Sequence, residues 1–116
     1  MTGQFTSAEH FHITLTGKGA HAARPHEGID VIVIGSHIIS ALYALPGRSG
    51  PLALGITRLS AGNSWNVLPK TAEIEGIVEG QSAQHAAQIT TLISGIAAGF
   101  GATSEIHWQP TETSTA

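Results

Sequence analysis

Glu9-His10-Phe11-His12-Ile13-Thr14-Leu15-Thr16 runs straight into Gly17-Lys18-Gly19-Ala20-His21-Ala22-Ala23-Arg24-Pro25-His26-Glu27-Gly28. The first segment alternates strictly. Phe11, Ile13 and Leu15 fall on one face and His10, His12, Thr14 and Thr16 on the other, the pattern of a strand buried on one side. The second segment has little to bury. It crowds glycines, two histidines, an arginine and a proline into a loop, and a loop of that make-up presents groups instead of filling a core. A helix follows over residues 29–45, where Ile34, Ile38, Leu42 and Leu45 recur at helical spacing and Val31 and Ile39 widen the stripe. Asp30 suits the positive end of its dipole, and Pro46 and Gly47 close it.

Beyond this helix, Leu52 to Ser60 reads as a second strand, with Leu54 and Ile56 on one face and Leu59 on the other. A polar loop, Ala61-Gly62-Asn63-Ser64-Trp65-Asn66-Val67-Leu68-Pro69, leads into a third strand over Thr71 to Glu79. There Ile74 and Val78 oppose Glu73, Glu75 and Glu79. Ser82 is placed to cap a second helix whose stripe is Ala86, Ile89, Ile93, Ile96, Ala97 and Phe100, with Gly99 and Gly101 at its end. Ser104, Ile106 and Trp108 mark a fourth strand. From Pro110 the chain is rich in Thr and Ser without periodicity, so residues 8–109 are expected to form the domain and residues 110–116 a disordered tail.

The order β-α-β-β-α-β predicts an α+β fold, a ferredoxin-like βαββαβ two-layer sandwich. Its four-stranded antiparallel sheet would lie in spatial order 4-1-3-2 with both helices on one face. The open face would carry His10, His12 and Glu73. The second strand then lies at an edge, and an edge with apolar residues on both faces invites another chain to pair with it. Homodimerisation through Leu52 to Ser60 is the expectation.

Composition narrows the functions. The 116 residues are enough for one core, and the chain is 41% hydrophobic but only 11% charged, against roughly 25% in ordinary soluble domains. Such a surface belongs against a partner or a missing domain. A net charge of −3 with five Lys and Arg argues against nucleic-acid binding. There is no cysteine for a disulfide or thiolate site. Gly35, Ser36 and His37 break the longest apolar run, so no membrane span is expected. The opening residues Met1-Thr2-Gly3-Gln4 have neither a basic nor an apolar leader region, and a cytoplasmic location is the corresponding expectation.

Several motifs compete for the glycine loop. Gly17-Lys18-Gly19-Ala20-His21-Ala22 fits G-x-G-x-x-A, but Pro25 stands where a nucleotide-binding helix would be under way and no parallel-sheet repeat follows. His21 and His26 lack a third ligand nearby, so no metal is expected within this segment. His10, His12 and His107 could gather on the open face, though nothing in their spacing demands it. His37 and His85 read as ordinary helix residues. Arg24 and Arg58 could each meet a carboxylate. No G-x-S-x-G elbow, cysteine nucleophile or ligand-spaced carboxylate run is present, so catalysis by this chain alone is not expected.

Two loops with their flanks carry a resemblance. "FHITLTGKGAHAARPHEGID", an apolar helix, and "ITRLSAGNSWNVLPKTAEIEGIVEG" together resemble the dimerisation or lid domain of the two-metal aminoacylase and carboxypeptidase family. Within it the branch of N-acyl-amino-acid amidohydrolases, including the hippurate hydrolases, is the nearest match. The resemblance covers residues 8–108. It implies a βαββαβ lid inserted in a catalytic domain that binds two divalent metals, zinc or similar. It implies that His21 reaches in trans to the scissile carbonyl of the partner's site, and that Asn66 contacts substrate. Arg24 and His26 are further substrate-binding candidates. Many members carry an arginine for the substrate carboxylate where this chain has Glu79, so either Arg24 or Arg58 substitutes, or the substrate lacks that carboxylate, or the parent has diverged. The alternative reading is a stand-alone amino-acid-binding regulatory module of the same element order. An RNA-binding ferredoxin-like domain is a third, but it lacks the basic surface and aromatic platform.

Overall fold

The computed structural model describes residues 5–45, 53–79 and 83–114. The elements are β1 (Phe5–Thr16), β2 (Ala20–His21), a 3-10 turn (Pro25–Glu27), α1 (Val31–Ala44), β3 (Ala53–Ala61), β4 (Val67–Leu68), β5 (Thr71–Glu79), α2 (Ala83–Gly99) and β6 (Thr103–Ser114). The four long strands form one antiparallel sheet in the order β3-β5-β1-β6. The two helices supply the second layer of an α+β structure.

The core sits between the sheet and both helices. Phe11, Ile13 and Leu15 of β1 and Ile74 and Val78 of β5 bury against Ile34, Ile38 and Leu42 of α1 and Ile89, Ile93 and Ala97 of α2. Register makes this work, because Ile13 lies opposite Ile74 on one side and Ile106 on the other. Gly76 lies opposite Phe11, and a Cβ there would come within 2.6 Å of the Phe11 ring. Only a residue without a side chain lets that ring lie across β5, where it also meets Trp108 at 5.7 Å between centroids.

Helix ends follow from local chemistry. Asp30 is the N-cap of α1, its carboxylate accepting from the backbone N–H of Ile32 and Val33 at 3.0 and 3.2 Å. At the far end of α2, Ala102 N–H donates to Ala97 O and Gly101 N–H to Ala98 O, both at 2.9 Å. This Schellman closure puts Gly101 at φ +83°, where glycine is favoured. Pro46, Gly47, Leu52 and Ser82 lie outside the described residues.

Three expectations change. Residues 110–114 are not a tail. They continue β6 and pair with the start of β1, Phe5 opposite Ser114 and Glu9 opposite Pro110, since a Thr-rich segment suits extended backbone and gains a full ladder here. Second, a bulge at Ile56/Arg58 shifts the register of β3. Leu59 lies opposite Ile74 and Leu54 opposite Val78, both core-facing, so the apolar residues of β3 share one face instead of two. Third, Phe100 does not complete the buried stripe of α2. It is exposed and stacks on His37 at 5.2 Å.

Candidate functional site

The two glycine-containing loops meet. β2 and β4 form a two-stranded ribbon in which Ala20 lies opposite Leu68 and His21 opposite Val67. Ala22 N–H extends it by donating to Asn66 O at 2.9 Å. The backbones at residues 21 and 66 are thereby held close although they are far apart in sequence, with His21 paired to Val67 and Ala22 to Asn66.

Backbone crossings at the base of the first loop hold it. Lys18 and Ile29 form an isolated bridge, with Ile29 N–H donating to Lys18 O at 2.8 Å, and Gly17 N–H donates to Lys70 O at 2.8 Å. A Cβ on Gly17 would lie 2.6 Å from Ile29 O, and one on Gly28 would lie 2.7 Å from Lys18 O. These glycines permit close approach of two strands. Neither has positive φ, so close approach and not backbone conformation requires glycine here, and the crossing hydrogen bonds pin the neck.

His21 stands exposed at the end of this ribbon. Its Nδ1 accepts from Ala23 N–H at 3.0 Å, and its carbonyl accepts from Arg24 N–H at 2.8 Å. An Nδ1 that accepts carries no proton, so the neutral ring is the Nε2–H tautomer. The imidazole therefore offers one N–H donor, directed by a turn in its own backbone. Asn66 is half-buried. Its Oδ1 accepts from Ser64 Oγ at 2.7 Å and its N–H donates to the same oxygen at 3.4 Å, and among the described residues its Nδ2 donates to nothing.

The remaining candidates divide. Arg24 and His26 share the exposed tip with His21, and Arg24 lies 3.6 Å from Glu27 across the 3-10 turn. Arg58 does not join them. It pairs with Glu75 on the open sheet face. Glu79 ends β5 at the end of the sheet far from the loops, eight residues from Thr71, or about 26 Å of extended chain. His10 and His12 reach Glu75 and Glu73 at 2.9 and 2.7 Å. Arg58 first, and His10 second, hold the Glu75 carboxyl below its ordinary value. His107 lies opposite His12 but leans on Glu105 at 3.7 Å. Among the described residues no three His, Cys, Asp or Glu are grouped to hold a metal ion.

A cleft of about 420 Å³ opens beside the ribbon, lined by residues that include Gly19, Asn63, Val67, Pro69 and Lys70. Lys70 escaped attention in the sequence, where a lone lysine after a proline gives no signal. Ser64 could have been found, because a hydroxyl two residues before an amide is the spacing of a side-chain-closed turn. Among the described residues no helix is long and apolar enough to cross a membrane.

The chain is an α+β module whose two glycine-containing loops meet in a two-stranded ribbon. The chain belongs to the peptidase dimerisation domain family, whose pattern matches residues 4–103. It is 39% identical over 112 residues to N-acetylcysteine deacetylase of Bacillus subtilis (strain 168), covering 90% of this chain and 30% of that protein. It is 40% identical over 74 residues to N-acyl-L-amino acid amidohydrolase of Geobacillus stearothermophilus, covering 60% of this chain and 20% of that protein. Among solved structures it superposes on a dinuclear metal-binding peptidase of the M20 family from Bacillus subtilis with a TM-score of 0.70. That match has 34% identity and covers 94% of this chain and 27% of the other. The chain thus spans under a third of these relatives. It is a peptidase dimerisation domain, and the regulatory-module alternative gains nothing from these likenesses.

Proposed function

We propose that this chain is the lid and dimerisation domain of a two-metal amidohydrolase cleaving N-acyl amino acids or peptide amides, and that it lends His21 and Asn66 to an active site on a catalytic domain of the partner subunit. The metals, zinc or similar, belong to that catalytic domain. The segment alone is not catalytic. Its frame is the ferredoxin-like βαββαβ sandwich of the sequence reading.

One observation carries the proposal: the β2–β4 ribbon joins the two loops, so that an exposed Nε2–H imidazole at His21 and the half-buried Asn66 carboxamide come from adjacent ribbon positions. A donor already aimed stabilises the charge that develops on a carbonyl oxygen when an amide is attacked, without reorganising as it does so. Asn66 donates to a neighbouring carbonyl or carboxylate, and Arg24 and His26 add polar contacts at the tip. The pinned neck keeps this pair in place while the substrate changes shape.

The dimer completes the picture. β3 forms an edge of the sheet, with Leu59 and Tyr43 exposed beside it and Ile56 N–H capped by Tyr43 Oη at 2.9 Å. A second copy along this edge would bury both side chains and carry each lid toward the other subunit's site.

Mixed dimers of the full-length protein test the arrangement. A His21→Ala subunit is combined with one disabled in its catalytic domain. Recovery of activity on mixing two inactive preparations is the expected result. Failure to recover, with mixed dimers shown to form, overturns the transfer of His21 across the interface.

A further inference from the structure

Trp65 is 93% exposed. The other aromatic rings described at side-chain level are engaged. Phe11 is buried against Trp108, Phe100 stacks on His37, and Tyr43 caps Ile56. Trp65 makes no ring contact or hydrogen bond among the described residues. An indole left in water forfeits one of the largest apolar burials a side chain can offer.

Its backbone is nonetheless held. Ser64 Oγ bonds to both Asn66 Oδ1 and Asn66 N–H, closing the turn around Trp65. The next residues lock onto the first loop through Asn66 O and the Val67–His21 pair. Val67 is itself exposed and lines the 420 Å³ cleft. A rigid turn therefore holds a bare indole one residue from Asn66, at the loop end that carries His21. Val67 lies opposite His21 in the ribbon, so the two share a face, and the turn at Trp65 leads directly into that pair.

We propose that Trp65, with Val67, forms an apolar wall for a group flanking the scissile amide. The substrates are then N-acyl amino acids with a bulky apolar or aromatic group on the acyl or the amino-acid side, in preference to small polar ones. This rests on the reading of His21 and Asn66 above. Trp65 sets specificity by contact and moves no proton. Where the polar pair answers the amide, the indole answers what the amide carries.

The test is kcat/KM of the full-length protein with N-acetylglycine, N-benzoylglycine and N-acetylphenylalanine, for wild type, Trp65→Phe and Trp65→Ala. The two bulky substrates separate the acyl side from the amino-acid side. Trp65→Ala is expected to lose about 10-fold or more on at least one of them, the scale of one apolar contact in discrimination, and to stay within about 2-fold on N-acetylglycine. Trp65→Phe is expected to keep most of the preference. Equal loss on all three substrates, or none, overturns the proposal. A fall in melting temperature or dimer content together with equal losses also overturns it, because the indole then packs against protein. His21→Ala, run alongside, separates the two ideas. If it leaves kcat unchanged the reading of the site fails, whereas the Trp65 preference is judged on its own ratio of substrates.

Discussion

The loop end and the open sheet face both concentrate histidine and charge, yet they treat their side chains in opposite ways. On the open face, His10, Glu75 and Arg58 bond to one another, and His12 bonds to Glu73. At the loop end the backbone N–H groups of Ala22, Ala23 and Arg24 are bonded, while among the described residues His21 Nε2 and Asn66 Nδ2 have no partner. A side chain satisfied by its neighbours is spent on structure. One that is aimed and unsatisfied awaits a partner from elsewhere. Residue type alone would have ranked His10 and His12 with His21, and partnership separates them.

The sharpest way to break this contrast is to remove one histidine from each region of the full-length protein. His21→Ala is expected to lower kcat by about 10²-fold, the loss typical of one oxyanion donor, with little change in melting temperature. His12→Ala is expected to leave kcat within about 2-fold. Equal effects in steady-state kinetics would dissolve the distinction.

The pinned neck offers a second, smaller lever. A side chain at Gly28 must displace Lys18 O and the Ala20 Cβ, 2.7 and 2.9 Å from where a Cβ would stand. Gly28→Val is expected to cost about 1–3 kcal/mol by overpacking, read from a denaturant melt, and to lower kcat by moving His21. Full activity in a folded Gly28→Val protein would show that the neck does not position the ring. On the edge of β3, Leu59→Glu is expected to weaken dimerisation at least tenfold by sedimentation. A dimer unaffected by this change would place the interface elsewhere.

How far these regions could be read from sequence depends on the range of the contacts that make them. Strict alternation in β1 gave Phe11, Ile13 and Leu15 their face, because a period of two follows from the pleat alone. The α1 stripe and Asp30 cap are equally local. The β3 bulge was not legible, since the extra residue at Thr57 is defined only by its partners on β5, and it moved Leu59 to the core side. Pairing of residues 110–114 with β1 was missed for the same reason: without apolar periodicity, the Thr-rich segment shows itself only against Phe5 to Glu9. At the site, the loops and their candidate residues stood out by composition, but the His21–Val67 pairing and the tautomer set by Ala23 N–H are facts of juxtaposition.

The open face yields the smallest expected effect and the cleanest sign. Arg58 and His10 hold the Glu75 carboxyl below its ordinary value, so in the folded state it gives up its proton more readily than in the unfolded chain. Its contribution to stability is therefore fully present above about pH 4.3, the ordinary glutamate value, and is lost as pH falls through the folded value. His12 and Glu73 sit beside this group, so Glu75→Gln is the narrower change than removing Arg58. Wild type is expected to lose stability on acidification below pH 4.3 more steeply than Glu75→Gln, as read from denaturant midpoints across that window. Above it the two midpoints should run parallel, and kcat should be the same in both. If the curves stay parallel down to acid denaturation, the Arg58–Glu75–His10 bonds are not holding the carboxylate in solution, and the open face loses its claim to be the self-satisfied half of the molecule.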